Sequence, residues 1–452
     1  MHEQVAPAPT PPSSATTSER ATPQARRALL SGAAGSALEW FDFAVYGALS
    51  ATVFPALFFH SLDPAMGLLA SFATFGVGFF ARPLGGLFFG QLGDRIGRRQ
   101  VLLATFISMG AASLVIGLLP TYEAIGLTAP LLLVLMRFIQ GFALGGEATG
   151  AQLLTMEHAP RNRRALYGAL MAMGSPLSQV LATLLLTILS AALAPEAFNA
   201  WGWRVPFLLS ILLVVVGIYI RLRIEETPLF EHETEELAAE SASPLVIIRG
   251  YWKTIARLIL AFSPIVLTFY IVSVFGIAYL ASRGFDRSQT YAIIMVSNLL
   301  SVLAIWLGGY VADRIGRRRV LFIGSAIALA AGLAFFPAAD TGNFPLVLTV
   351  VAVALTGTQF GNAAQGALFA EAFPTRVRYT GSALALTGAN LIFAAPAPFI
   401  ASWLTSLGLG TAPVIIFWAV VIVAALVNIY TMREGRTLEG LPQKFGKGRL
   451  GL

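Results

Sequence analysis

The chain has 452 residues, 56% of them hydrophobic and 12% charged, with a formal net charge of +7. A water-soluble domain carries about 25% charged residues, so this balance excludes an ordinary soluble globule, which would be left with large apolar patches. Cysteine is absent, which excludes disulfides, thiol catalysis and thiolate metal sites.

Residues 1–24 are rich in Pro, Ser, Thr and Ala and lack the pattern of a signal peptide, so a disordered cytoplasmic tail is expected there. A helix needs about 20 apolar residues to cross the hydrocarbon core. On that measure spans are predicted near 28–59, 66–92, 100–120, 128–156, 165–194 and 204–224. A second set is predicted near 254–281, 289–312, 320–338, 345–370, 379–405 and 412–432. The expected organisation is an N-terminal six-helix bundle over 25–224, an acidic cytoplasmic linker over 225–250, a C-terminal bundle over 251–432 and a cytoplasmic tail over 433–452. Pro55, Pro176, Pro264 and Pro396 are placed to kink spans.

Basic residues set the orientation. Arg95, Arg98 and Arg99 follow span 2, Arg161, Arg163 and Arg164 follow span 4, Arg314, Arg317, Arg318 and Arg319 follow span 8, and Arg376 and Arg378 follow span 10. Loops near 60–65, 120–127, 195–203, 339–344 and 406–411 have no Lys or Arg, and only Arg283 and Arg287 break the bias. The positive-inside rule then puts both termini in the cytoplasm. Short basic clusters between apolar runs fit membrane topology and not a nucleic-acid partner.

The chain repeats itself. Gly90-Gln-Leu-Gly-Asp94-Arg95-Ile-Gly97-Arg98-Arg99 returns as Gly309-Tyr-Val-Ala-Asp313-Arg314-Ile-Gly316-Arg317-Arg318. Glu157, Arg164 and Gly168 are echoed by Glu371, Arg378 and Gly381. Two echoes in matching order imply an all-α membrane protein of twelve helices in two six-helix bundles related as parallel repeats.

Charge inside the membrane costs at least about 2.5–3.5 kcal/mol and persists where it pairs or meets water. Glu39, Asp42, Arg82, Arg137 and Glu147 are such residues, all in the first half, so proton handling is assigned there, to Asp42, Glu147 and Glu39. At about 1.5 Å per residue, Asp42 and Arg82 lie about 22 Å and 18 Å from the cytoplasmic edge. Histidine cannot take the role, because His60 is at the outer rim and His2, His158 and His232 are cytoplasmic. A substrate anion at Arg82 would weaken its hold on a carboxylate and couple substrate to proton. A structural ion pair is the competing reading of Arg82, and a fixed pair with Arg137 that of Asp42. Candidate substrate-binding residues are Arg82, Arg137, Tyr46, Gln140, Gln179, Tyr270, Asn362 and Asn390. The charged residues Asp94, Arg95, Arg98, Glu157, Arg164, Asp313, Arg314, Glu371 and Arg378 are expected to form a cytoplasmic gate, the alternative being topology signal alone. Gly141 with Gly145, and Gly86 with Gly90, are spaced for close helix crossing.

On the duplicated Gly-x-x-x-Asp-Arg-x-Gly-Arg-Arg loop, the chain resembles the major facilitator superfamily. Leu38-Glu39-Trp40-Phe41-Asp42-Phe43, Ala81-Arg82-Pro83-Leu84-Gly85-Gly86, Arg137-Phe138-Ile139-Gln140-Gly141-Phe142, Gly145-Gly146-Glu147 and Trp201-Gly202-Trp203-Arg204-Val205-Pro206-Phe207 are similar to its metabolite:proton symporter family. So is Phe373-Pro374-Thr375-Arg376-Val377-Arg378-Tyr379-Thr380-Gly381. The resemblance implies proton-driven transport of carboxylates such as shikimate, 2-oxoglutarate or citrate, or of proline and betaine, in the cell inner membrane. The chain departs from the family pattern at Ala148-Thr149-Gly150 and Ala389-Asn390, both near the expected cavity. The expectation is import of a small organic or aromatic acid by alternating access, with a small-molecule substrate, protons and the bilayer as partners and a monomer as the working unit. No cofactor beyond the proton gradient is expected, and no enzyme. An exporter, a uniporter and a betaine or amino-acid carrier are the alternatives.

Overall fold

A computed structural model describes residues 40–96, 98–145, 163–212, 215 and 244–432. The expected tails, Glu39, Glu147, Glu157 and most of the expected linker lie outside these residues, as do the side chains of Asp94, Arg95 and Arg98.

Twelve helical spans follow one another. They are α1 (40–58), α2 (Pro64–Ile96), α3 (Arg98–Leu118), α4 (Thr128–Gly145), α5 (Arg164–Ala192) and α6 (Gly202–Leu212) in the first half. The second half holds α7 (Ile247–Ser282), α8 (Arg287–Ile315), α9 (Arg317–Asp340), α10 (Phe344–Glu371), α11 (Thr380–Ser406) and α12 (Ala412–Thr431). Among the described residues, nine are long and apolar enough to cross a bilayer by themselves. Helices suit this role because each backbone group is satisfied inside its own segment.

The outside of the bundle is apolar, as lipid contact requires. On α12, Ile416, Val420, Val423 and Val427 are exposed at helical spacing, and on α8 Leu299, Leu303 and Leu307 are. α7 is the opposite case: 89% of its apolar window is buried, so it runs through the middle of the molecule. Residues 244–250, the end of the expected linker, are already helical, and the non-helical backbone of Tyr251 (φ −124°, ψ 16°) separates them from the span proper.

Three expected kinks coincide with interruptions. α1 breaks at Val53 before Pro55, α5 breaks at Met173 before Pro176, and α11 loosens into a π-turn over Asn390–Ala394 before Pro396. Pro264 sits within continuous helix, and the π-turn of α7 comes later, at Ile271–Phe275. Backbone packing is closest between α2 and α4. A Cβ on Gly141 would collide with the carbonyl of Gly78, and one on Gly145 with that of Arg82. Small residues there let two helices carrying arginine cross almost backbone to backbone.

Candidate functional site

The close crossing of α2 and α4 brings Arg82 and Arg137 beside α1. Arg137 is fully buried, and its guanidinium carbon lies 3.9 Å from the ring centre of Phe43, 4.2 Å from that of Tyr46 and 5.3 Å from that of Phe75. Arg82 packs on the same Phe43 ring at 4.4 Å and on Phe79 at 5.0 Å. Two guanidiniums therefore share one aromatic platform, where the ring quadrupoles offset part of the cost of burying positive charge. Gly78 makes room for this: a Cβ there would stand 2.9 Å from Arg137 Nε.

Asp42 is also buried, on the first described turn of α1. It does not form a direct ion pair with Arg137. Arg137 Nη1 donates to Gln140 Oε1 (3.1 Å), Gln140 Nε2 donates to Ser113 Oγ (2.7 Å), and Ser113 Oγ donates to Asp42 Oδ2. Ser113 also lies 3.1 Å from the carbonyl of Met109. Among the described residues, Asp42 Oδ1 and Arg137 Nε and Nη2 make no hydrogen bond. A cation and a carboxylate are thus joined by an amide and a hydroxyl, each with an unused edge.

Tyr46 stands beneath Arg137 and donates to Thr74 Oγ1 (2.7 Å), which donates to the carbonyl of Ser71 (2.7 Å). From the other half, Tyr270 meets Phe75 at 5.7 Å and Phe79 at 5.5 Å between ring centres. Asp42 is linked to Arg137 by the relay, Arg82 by the Phe43 ring, Tyr46 by direct contact and Tyr270 through Phe75 and Phe79, so five expected residues, counting Arg137, belong to one cluster, with Gln140 as the sixth. Gln179 is buried on α5 away from any hydrogen bond of this network. Asn362 donates to Gln359 Oε1 (2.9 Å) and Asn390 to the carbonyl of Leu386 (3.0 Å), both within their own helices.

The halves also meet at both ends. At the arginine-rich end, Asp313 accepts from the backbone amides of Ala165 (3.0 Å) and Leu166 (2.9 Å), so a carboxylate of α8 caps the first turn of α5. Such a cap satisfies two orphan donors and meets the positive end of the helix dipole. Arg317 Nη2 holds Asp313 and Glu371, each at 3.2 Å. Arg317 is thus a cation of this junction. Arg314, the residue expected there, is exposed and lies over the Tyr310 ring at 4.1 Å. The reason is the turn at Gly316 (φ 103°): it ends α8 and starts α9 at Arg317, whose side chain comes back onto Asp313 and Glu371, whereas Arg314 is still on α8 and is turned about 100° from Asp313. Arg164 opens α5 at this junction, and Arg378 lies near the start of α11.

At the opposite end the contacts are mostly neutral. Thr52 Oγ1 and Tyr291 OH are 2.7 Å apart, and Arg287 donates to Asn199 Oδ1 (2.8 Å) while lying 5.5 Å from the Phe198 ring centre. Arg283 pairs with Asp340 at 2.9 Å. Of the two arginines that violate the loop bias, Arg283 is held within its own half and Arg287 reaches across to the first half. Arg204 likewise ends α3 by donating to the carbonyls of Gly117 (3.0 Å) and Leu119 (2.6 Å).

Sequence reasoning passed over Ser113, Thr74, Arg317, Thr52 and Tyr291. A lone Ser or Thr on an apolar helix looks like a packing residue, and nothing in its neighbours along the chain says otherwise. Phe43 directly follows Asp42, a charge within a span, and that adjacency is its one signal in the sequence.

The family described as Major Facilitator Superfamily matches residues 32–396 and 307–450. The chain is 38% identical over 395 residues to the inner membrane metabolite transport protein YhjE of Escherichia coli K12, covering 85% of this chain and 89% of that one. It is 39% identical over 387 residues to the shikimate transporter of the same strain, covering 84% and 87%. It is 31% identical over 433 residues to that strain's proline/betaine transporter, covering 92% and 85%. Among solved structures, a D-xylose-proton symporter superposes with a TM-score of 0.71 at 18% identity, covering 91% of this chain and 98% of the other.

Proposed function

The chain belongs to the major facilitator superfamily, a family of transporters and not enzymes, and from that premise we propose that it is a proton-coupled symporter importing a small organic carboxylate. The observation that carries this reading is the linked cluster of Asp42, Ser113, Gln140 and Arg137 with Arg82 alongside. The arginine-rich end with Asp313 is assigned to the cytoplasm, with both termini on that side, on the positive-inside bias of the loops.

Asp42 is the proposed proton carrier. When the carboxylate is ionised, Ser113 donates to it. When it is protonated, Asp42 donates to Ser113, and the Ser113 proton turns to the Met109 carbonyl 3.1 Å away. Gln140 donates to Ser113 in both states. The change of charge then requires one hydroxyl to rotate and no heavy atom to move, which keeps every donor in the relay matched.

Arg137 is the proposed carboxylate anchor. Its Nε and Nη2 have no acceptor among the described residues, and a carboxylate accepts two parallel N–H groups from a guanidinium. An anion bound there shares the guanidinium with Gln140, which keeps Nη1, and by drawing on the same positive charge it acts on Asp42 through the relay, which couples substrate to proton. Arg82, Tyr46 and Tyr270 complete the same wall. Gln179, Asn362 and Asn390 remain candidates for the far side of the substrate, with Glu147 and Glu39 as further candidates for coupling. The rest of the cytoplasmic gate is proposed on Asp94, Arg95, Arg98, Glu157, Arg164 and Arg378 by analogy with the Asp313, Arg317 and Glu371 junction. No cofactor is proposed beyond the proton gradient, and the working unit is proposed to be the monomer.

The similarity to a proline/betaine transporter raises a second reading, a zwitterionic substrate. Against it, the rings that would cage a quaternary ammonium already hold Arg82 and Arg137, and a third cation would meet both. The test is uptake into proteoliposomes with an acidic exterior, comparing shikimate, citrate, 2-oxoglutarate and glycine betaine. A carboxylate should accumulate in wild type, and Asp42→Asn should abolish accumulation while sparing counterflow exchange. Betaine uptake alone, or accumulation by Asp42→Asn, would overturn the assignment.

A further inference from the structure

Four arginines crowd the turn between α8 and α9, where Gly316 takes a positive φ of 103°. Two of them face the protein. Arg317 holds Asp313 and Glu371, and Arg318 donates to the carbonyls of Tyr430 (3.3 Å) and Met432 (2.5 Å) at the end of α12. The other two face outward and have no ion pair among the described residues. The Arg314 guanidinium carbon lies 4.1 Å from the Tyr310 ring centre, and Tyr310 is stacked on Trp306 with ring centres 6.2 Å apart and planes 9° from parallel. Arg319 is exposed, and its Nη1 is 3.4 Å from the carbonyl of Ile315, the last residue of α8.

Below these arginines runs an apolar lane. Leu303, Trp306, Leu307 and Tyr310 are exposed along one face of α8, and Phe322 and Ile323 are exposed on α9 one turn after Arg319. The arrangement has a vertical order: hydrocarbon, then two stacked aromatic rings, then two guanidiniums. That is the order of a phospholipid, acyl chain, glycerol region and phosphate. Aromatic rings favour the interfacial level, and guanidiniums take phosphate oxygens in pairs. Arginines that served only as a topology signal would need no such ladder beneath them.

We propose that Arg314 and Arg319 bind the headgroup phosphate of one anionic phospholipid of the adjoining leaflet, with Trp306 and Tyr310 as its interfacial platform and an acyl chain along Leu303, Leu307, Phe322 and Ile323. The site is separate from the transport cluster. It is next to the inter-half junction, since Arg314 follows Asp313 directly, so a bound lipid braces the end of α8 from which Asp313 caps α5.

The full chain in neutral detergent tests this by titration with short-chain phosphatidylglycerol, read as the rise in melting temperature. Phosphatidylcholine and inorganic phosphate are the comparison ligands. Wild type should be stabilised by phosphatidylglycerol and not by the other two. In Arg314→Gln/Arg319→Gln the apparent affinity should fall about thirtyfold, a factor of about five for each basic residue at the membrane surface. Arg283→Gln, at the other end of the molecule, should respond as wild type does. The single substitutions, each expected to weaken binding about fivefold, decide the matter if the double variant does not fold. An unchanged response in the variants, or equal stabilisation by phosphatidylcholine or by inorganic phosphate, would overturn the site.

Discussion

The two halves share an architecture and divide the chemistry. The first half buries Asp42, Arg137 and Gln140 in one hydrogen-bonded chain and stacks Arg82 and Arg137 on Phe43. The second half buries neutral polar groups, among them Thr268, Ser273, Asn298 and Gln359, and sends Tyr270 into the first half's aromatic cluster. Its charges sit instead at the junction, on Asp313, Arg317 and Glu371. Among the described residues, the electrostatic penalty of burying charge inside a bundle therefore falls on the first half, and the second half meets it with neutral groups.

The largest expected effect comes from breaking that asymmetry at its centre. Arg137→Lys keeps the charge and removes the planar fork, so Gln140 and the substrate can no longer be held together. Disrupting a buried charged network costs about 3–5 kcal/mol, and transport into proteoliposomes should fall a hundredfold or more. Near-normal uptake by this variant would mean the ionic half is not where substrate is held. Next comes Ser113→Ala, which cuts the relay and leaves both charges in place. Losing one buried partner costs about 1–3 kcal/mol, so proton-driven accumulation should drop about tenfold with exchange preserved. Equal losses in the two assays would reduce Ser113 to a packing residue.

The junctions provide smaller tests. Asp313→Asn weakens the cap on α5 and the pair with Arg317, worth about 1–2 kcal/mol together. The conformational balance should shift five- to thirtyfold toward opening at the arginine-rich end. Because the chain has no cysteine, this is measured by the labelling rate of Ala367→Cys, which is buried at that junction beside Ala312. An unchanged rate would assign the carboxylate to stability alone. Smallest is Tyr291→Phe, which removes the hydroxyl contact with Thr52 at the other end. At about 1 kcal/mol the labelling balance should move only a few-fold, and in the opposite sense to Asp313→Asn. A shift in the same direction would show that the two ends do not alternate.

Much of this was legible in the chain itself. Apolar runs of bilayer length gave the spans, since an apolar helix has no other stable place to be, and the motif echoes gave the twofold plan. Asp42, Tyr46, Arg82, Arg137, Gln140 and Tyr270 stood out as polar groups in apolar surroundings, and they do lie together. Gln179, Asn362 and Asn390 were indistinguishable from them by that criterion, because polarity along a helix says nothing about which helix faces which. Arg314 is expected at the gate and Arg317 stands there for a related reason: the two are equivalent as letters, and only the Gly316 turn, which puts one on α8 and the other on α9, separates them.

The sequence by itself determined that this is a membrane-spanning chain of the major facilitator superfamily, because hydrophobic length, charge bias and duplication are properties of the one-dimensional order. What only the tertiary structure decided is who touches whom. Ser113 and Gln140 became a bridge between a carboxylate and a guanidinium because α2, α3 and α4 cross closely against α1, with Gly78 and Gly141 permitting the approach. Contacts between residues 27 to 71 positions apart depend on helix rotation and crossing, and these are set by the fit of whole surfaces and not by any local run of residues.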